Sequence, residues 1–201
     1  MNTPSWEAWE RTFDAQENWA RLTLGDMPVE EVPGFLRVLT AIGREQGLPS
    51  IDDLAWASIV GYTDHNPLLQ MLCFAIGSGS VPESVARASV AGLLALGASP
   101  SLSFCQTTPI EILLLSLGMA SAGETAPSES VLVCVAKQLI DAGARPHVAQ
   151  GPCTFSHDRL LEQCIAHHYL TLAWVLRDYH QCAELDKCCP AAQGEVSRRA
   201  L

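Results

Sequence analysis

Hydrophobic residues recur every three or four positions along most of this chain, and no long segment alternates between apolar and polar residues. This period predicts amphipathic helices rather than strands. A first helix follows Pro4, a second spans 28–46 and ends at Gly47, and a third begins at Ser50 and continues to Val60. The apolar stripe of the second helix consists of Val32, Phe35, Leu36, Leu39 and Ile42.

From about residue 66 the pattern recurs as pairs of helices. The predicted helices are 66–77 with 82–96, then 108–118 with 129–141, then a third pair over 156–176. One pair of amphipathic helices cannot bury its own apolar face, so units that recur at this length indicate a stack of pairs with a shared core. The sequence therefore predicts an all-α protein built as a solenoid of helical pairs.

Three short segments resemble the ankyrin-repeat family. Segment 108–112 reads TPIEI, which is similar to the TPLHL opening of an ankyrin repeat, and segments 93–100 and 139–146 read LLALGASP and LIDAGARP, which are similar to its closing LLxxGAxP. In this motif Thr caps a helix, Pro occupies its first turn, and Gly ends the next helix in a left-handed conformation. The resemblance covers about three degenerate repeats over 64–180 and implies an ankyrin-like fold.

The segments depart from the family pattern in several places. A Leu-Leu pair at 113–114 replaces two small residues, and Gln70 stands where an apolar residue belongs. A different helical repeat or an irregular helical bundle therefore stays an alternative. The predicted organisation is an N-terminal helical capping region over 1–63, ankyrin-like repeats over 64–188 and a flexible tail over 189–201. The tryptophans of the capping region are expected to cover the open end of the stack.

Charge narrows the class of partner. The 201 residues include 22 Asp and Glu against 12 Lys and Arg, a net charge of −10, and residues 1–64 alone contribute 11 acids and 4 bases. An acidic surface repels nucleic acid and anionic membranes and attracts a basic protein. Neither a signal peptide nor an apolar run of roughly 18 residues is present, so a cytoplasmic protein is expected. Arginine outnumbers lysine ten to two, which suggests a bacterial, GC-rich source.

Metal and catalytic chemistry receive little support from the sequence. The Cys- and His-rich segment 153–189 contains the spacings Cys164-x2-His167 and His180-x-Cys182, and zinc needs four such ligands. Matched ligand pairs are missing, however, and burial of reduced cysteines is the simpler interpretation. The segment's candidate ligands are Cys153, His157, Cys164, His167, His168, His180, Cys182, Cys188 and Cys189.

Two further enzymatic interpretations are weaker. The dipeptide His157-Asp158 is superficially similar to metal-dependent phosphohydrolases, and Cys105 or Cys182 could only act as a nucleophile beside an activating base. No phosphate-binding glycine loop, Gly-x-Ser-x-Gly or His-Glu-x-x-His motif is present,. We therefore expect no enzyme, no cofactor and no bound metal.

A protein-binding surface is the best-supported interpretation. The resemblance implies that the loops entering each repeat, near 64–65, 101–107 and 147–154, line one side with the inner helices. Asp52 and Asp53 add acidic charge for a basic partner. The expected function is neutralisation of a partner protein such as a cognate toxin, an immunity or inhibitor role; the alternative is an effector or adaptor. The sequence carries no signal for an oligomeric state. The predicted binding residues are Asp52, Asp53, Asp64, His65, Phe104, Gln106, Thr107, Glu111, His147, Gln150 and Phe155.

Overall fold

The computed structural model describes residues 6–54, 67–102, 107–118, 126–145 and 157–188. These ranges contain α-helices and no strand, which confirms the all-α prediction. Two 3-10 turns, Ile51–Asp53 and Ser116–Gly118, accompany them. The helices are α1 (Trp6–Thr23), α2 (Val32–Glu45), α3 (Leu68–Gly77), α4 (Glu83–Ala95), α5 (Pro109–Leu115), α6 (Glu129–Asp141), α7 (His157–Ala166) and α8 (Leu170–Cys188).

Most helix bounds agree with the hydrophobic pattern, with two differences at the start of the chain and one at its end, where α8 continues to Cys188 rather than ending at 176. Helix α2 begins at Val32 rather than at residue 28, because a turn comes first in which the Glu31 amide donates to the Pro28 carbonyl (3.0 Å). The predicted cap at Ser50 is present, since its hydroxyl accepts a hydrogen bond from the Asp52 amide (3.2 Å). It opens only a single 3-10 turn, and Leu54 with ψ 70° has already left the helical conformation, so the predicted helix from Ser50 is wrong here. The rest of its expected course to Val60 lies outside the described residues.

The helices pack as consecutive pairs in two layers, one of the odd-numbered helices and one of the even-numbered helices. Each odd-numbered helix contacts the even-numbered helix that follows it. The odd helices also contact one another in order, α1 with α3, α3 with α5 and α5 with α7. The even helices do the same, α2 with α4, α4 with α6 and α6 with α8. The pair α1/α2 therefore contacts its neighbour in both layers, as the later pairs do.

One hydrophobic core runs through all eight helices, from Ala15 in α1 to Leu176 in α8. Trp19 is buried and lies against Phe35, with ring centroids 6.3 Å apart, so these two side chains join α1 to α2. Helices α3 and α5 approach closely: a Cβ added at Gly77 would overlap the Leu113 carbonyl oxygen of α5 and the Ser116 hydroxyl of the 3-10 turn that follows. At Gly77 the backbone of α3 therefore lies directly against the backbone of α5.

Three even helices end in the same way, as the glycine pattern predicts. Gly47, Gly97 and Gly143 have positive φ angles of 67°, 89° and 90°. Each glycine amide donates to the carbonyl three residues earlier, and the next amide donates to the carbonyl five residues earlier. This arrangement is a Schellman motif, in which the left-handed residue favours glycine. The chain therefore leaves α2, α4 and α6 in the same direction relative to each helix.

None of the described helices is both long enough and apolar enough to cross a bilayer.

Candidate functional site

The predicted binding residues come, in chain order, after an even helix and before or at the start of the next odd helix. We call the described parts of these connecting segments, 46–54, 96–102, 107–108 and 142–145, the loop edge. Asp52, Asp53 and Thr107 lie on it, and Glu111 lies in the first turn of α5. The other predicted binding residues, which lie outside the described residues, are Asp64, His65, Phe104, Gln106, His147, Gln150 and Phe155.

A side-chain hydrogen bond joins the first loop of the edge to the second. The Ser99 amide donates to Oδ2 of Asp52 over 2.8 Å, although the two residues are 47 positions apart. Burial raises the pKa of Asp52 above its ordinary value, the Ser99 amide opposes that rise, and neighbouring Asp53 adds to it,. Asp52 therefore holds a loop in place, whereas Asp53 is exposed to solvent.

A second bond of the same kind joins the second loop to the third. The Arg145 amide donates to Oγ of Ser101 (2.8 Å), and this hydroxyl donates to the Gly143 carbonyl (3.1 Å). Ser99 and Arg145 occupy equivalent positions, two residues after the glycine that ends an even helix. In both cases the backbone amide at that position binds a side chain from the preceding loop. The loop edge is therefore tied together from one pair to the next.

Gln70 fixes the two flanks of the middle loop. Its side chain is only 5% exposed, and its Nε2 donates to the carbonyls of Leu102 and Thr107, each over 2.8 Å. A primary amide has two N–H groups, so one side chain can serve both carbonyls. Gln70 departs from the ankyrin pattern, which has an apolar residue at this position. A polar side chain within an apolar helix needs buried hydrogen-bond partners, and this requirement is the signal by which the sequence indicates its role.

Glu111 caps the helix that follows the middle loop. Its Oε2 accepts hydrogen bonds from the Thr108 amide (2.7 Å) and from the Thr108 hydroxyl (3.0 Å). The carboxylate also acts on Tyr179 of α8: burial raises the pKa of this phenol, Glu111 raises it further, and Arg145 lowers it. The Tyr179 hydroxyl is buried without a hydrogen-bond partner. Glu111 and Arg145, on two different elements, thus act in opposite directions on the phenol of Tyr179.

Acidic side chains accumulate at the α1/α2 end of the molecule. Residues 14–54 contain eight acids against three arginines, and seven of these acids are exposed. One of them, Glu31, pairs with Arg21 over 2.9 Å. The exposed acids are Asp14, Glu17, Asp26, Glu30, Glu31, Glu45 and Asp53. Of these acids, Asp53 lies on the loop edge and Glu45 directly before it, whereas Asp26, Glu30 and Glu31 lie at the other end of α2. We call the α1/α2 end of the molecule, which carries all seven, the acidic end.

The thiols in the described residues are poor candidates for metal binding or nucleophilic attack. Cys73, Cys134 and Cys164 are free thiols, and burial raises the pKa of Cys164 to about 11, which keeps it protonated at neutral pH. His167 and His168 are exposed. No group of three potential ligands occurs within the described part of the chain. His180 is half-buried on α8. The other predicted candidates, which lie outside the described side chains, are Cys105, Cys153, His157, Asp158, Cys182, Cys188 and Cys189.

Ser99, Ser101, Arg145 and Tyr179 were not predicted as site residues. Serine near a turn is common, so the sequence alone gives no sign that Ser101 binds a loop 42 residues away,. Tyr179 lies on α8, far in sequence from Glu111 and Arg145, which act on its phenol. Only the packing of the pairs brings these residues together.

Comparison with known proteins adds no relative. No protein-family model matches the chain, and neither a curated protein nor a solved structure matches it at a significant level. Function has to be inferred from the contacts and charges of this chain.

Proposed function

We propose that this chain is a non-catalytic protein-binding module, folded as a short ankyrin-like stack, whose loop edge binds a basic partner protein. The observation that carries the proposal is the repeated tie along the edge, Asp52 to Ser99 and Ser101 to Arg145. The contacts of odd helices with odd and even with even support the stacked arrangement. The Schellman ends of α2, α4 and α6 support a common direction for the loops.

The ties supply the mechanism. A loop that is already ordered loses little conformational entropy on binding, which raises affinity without any added contact. Gln70 binds the carbonyls of Leu102 and Thr107, which flank the predicted binding residue Phe104 in the sequence. Aromatic side chains are enriched at interface hot spots. The acidic end would accelerate encounter with a basic surface, and this contribution should weaken as salt rises.

Among protein-binding roles we favour neutralisation of a basic partner, such as a cognate toxin, in an immunity or inhibitor role within a bacterial cytoplasm. The exposed acids between residues 14 and 53 favour it, because acidic inhibitors associate rapidly with basic targets,. The alternative is an effector or adaptor that acts on host or cellular proteins. Its supporting observation is the scarcity of lysine, with only Lys137 and Lys187 in the chain, which would limit ubiquitin attachment.

Affinity capture from the native cell tests the proposal. The chain is immobilised, and bound proteins are eluted by raising salt from about 0.05 M to about 0.5 M. We expect a basic protein that elutes with salt, and the reading frame adjacent to the gene should encode it if the role is immunity. Its association rate should fall about threefold with Asp53→Asn, because that carboxylate is exposed at the acidic end.

The matched control is Glu162→Gln, which removes an exposed acid from α7 at the opposite end. It should leave the association rate unchanged, and both variants should melt with the wild type. Failure to capture any protein at low salt would contradict every binding role. Capture of an acidic protein whose association ignores salt would contradict the electrostatic part.

A further inference from the structure

The last pair leaves an apolar surface uncovered. Ile165 at the end of α7 is 57% exposed, and Leu170 and Trp174 at the start of α8 are 59% and 57% exposed. Leu170 and Trp174 are four residues apart and share one helix face. We call these three residues the end face. Solenoid ends normally carry a polar outer surface, so large apolar side chains there are unexpected.

The register of the odd layer shows that Ile165 occupies a contact position. It lies three residues before His168, which has a left-handed φ of 60°. Leu22 and Ile76 lie three residues before Gly25 and Gly79, which are left-handed in the same way, and both side chains are 0% exposed. The helices α1 and α3 each contact the next odd helix. No described helix follows α7 in that layer, so the same position is left open.

The even layer gives the same result. Helices α4, α6 and α8 begin at Glu83, Glu129 and Leu170. The Glu83 carboxylate accepts a hydrogen bond from the Ser130 hydroxyl of the next helix (3.0 Å). Glu129 accepts from the amides of Thr171 (2.5 Å) and Leu172 (3.0 Å). The first residue of an even helix therefore points towards the next pair, and at the end of the stack this residue is an apolar leucine.

We propose that the end face binds the end face of a second copy of this chain, forming a two-fold symmetric dimer. A two-fold interface must be self-complementary. The guanidinium of Arg177 lies 3.7 Å from the Trp174 ring centroid, and it is 3.7 Å from the Asp178 carboxylate. Both charge signs thus border the apolar residues, so each copy can offer its arginine to the aspartate of the other.

The distribution of charge along the chain favours the same occupant. Residues 151–201 hold six acids and five bases, a balance of −1, whereas residues 1–64 carry a balance of −7. Two copies that meet through α7 and α8 join their least charged regions and keep their acidic ends apart, which minimises repulsion. This inference is independent of the proposed function, since the loop edge is not part of the end face.

Sedimentation equilibrium of the full chain tests the dimer. We expect concentration-dependent dimerisation that persists or strengthens when salt is raised, because an apolar contact between like-charged molecules gains from screening. Trp174→Glu changes both copies at once and should weaken dimerisation about 100-fold or more. The salt response is opposite to that expected for the acidic partner site, so the two proposals can fail separately.

The matched control is Leu24→Glu, which adds the same charge at another exposed apolar residue, in the turn between α1 and α2 (65% exposed). It should dimerise as the wild type does, and circular dichroism should show that both variants are folded. A monomeric wild type at all concentrations would overturn the proposal, whether residues 189–201 or another protein covers the end face. Equal weakening by both variants would also overturn it.

Discussion

The junction between the second and third pairs differs from the final pair in how its surfaces are closed. At the junction, Gly77 has no side chain and so lets α5 lie against the backbone of α3. The buried Gln70 binds the carbonyls of Leu102 and Thr107, on both flanks of the loop before α5. At the final pair, His168 occupies a left-handed position that glycine fills elsewhere, and Ile165 and Trp174 face solvent. The junction has little room for change, whereas the final pair retains both strain and unburied apolar surface.

This difference separates two tasks within one continuous core. Close packing and hydrogen bonds fix the loop edge, and the binding role proposed for it would need such a rigid base,. The final pair is held by polar contacts of its own, among them the Glu129 carboxylate at the start of α8 and the bond from the Tyr169 hydroxyl to the Pro127 carbonyl (2.7 Å). The stability of the final pair should therefore respond to changes that leave the junction between the second and third pairs intact.

The largest effect is expected from Gly77→Ala, which would break the middle junction. The new Cβ would overlap backbone and side-chain atoms of α5, so α3 and α5 must move apart at a cost of about 3 kcal/mol in the free energy of unfolding,. Urea denaturation measures the change. Gly43→Ala is the control: nothing lies within 4 Å of its Cβ, and alanine in a helix should stabilise by up to about 1 kcal/mol. Similar destabilisation by both would contradict the close contact.

Gln70→Leu should release the middle loop at a cost of about 2 kcal/mol, because two carbonyls lose their donor inside the protein,. Hydrogen exchange of the amides near 102 and 107 should accelerate beyond the global change. Gln138→Leu is the control, since the Gln138 amide nitrogen donates to the Arg87 carbonyl at an exposed position (3.3 Å) and its Oε1 is buried without a partner. It should cost less than about 0.5 kcal/mol. Unchanged exchange in Gln70→Leu would show that the amide does not fix the loop.

The helices could be predicted from the sequence because their apolar period and their capping residues are local signals. The stripe of α2 and the glycines at 47, 97 and 143 are of this kind. The ties at the loop edge could not be predicted, because each joins residues more than 40 positions apart. Gln70 was noticed but interpreted only as an irregularity. Its role depends on two backbone carbonyls, which no side-chain pattern reveals.

The end face was missed for a related reason. Leu170 and Trp174 fit the apolar pattern of a core helix, and the sequence alone cannot distinguish a position covered by a neighbour from one left uncovered,. Only alignment by the left-handed residues shows that Ile165 matches the buried Leu22 and Ile76.

His168→Gly should make the final pair more similar to the others, and it is expected to stabilise the protein by about 1 kcal/mol. A non-glycine residue at φ 60° carries a steric penalty that glycine avoids,. The rise in melting temperature measures it. His167→Gly is the control, because that ring stacks on Tyr169 (5.8 Å between centroids) and its replacement should destabilise. A lower melting temperature for His168→Gly would contradict the assignment of strain.

The smallest effect concerns the tie at the first junction and depends on pH. Burial raises the pKa of Asp52 in the folded state above its ordinary value, so the charged carboxylate is disfavoured relative to the unfolded chain, and wild-type stability gains as pH falls from this raised pKa towards 3.8,. Asp52→Asn removes that titration but keeps an oxygen for the Ser99 amide. It should therefore match or slightly exceed wild-type stability at pH 7, with the difference shrinking as pH falls through the raised pKa.

Asp52→Ala removes the acceptor and should lose about 1 kcal/mol at every pH. Denaturation curves at several pH values separate the cases: if Asn and Ala lowered stability equally, the tie would depend on the charge rather than on the hydrogen bond, and the ties along the loop edge would not share one physical basis.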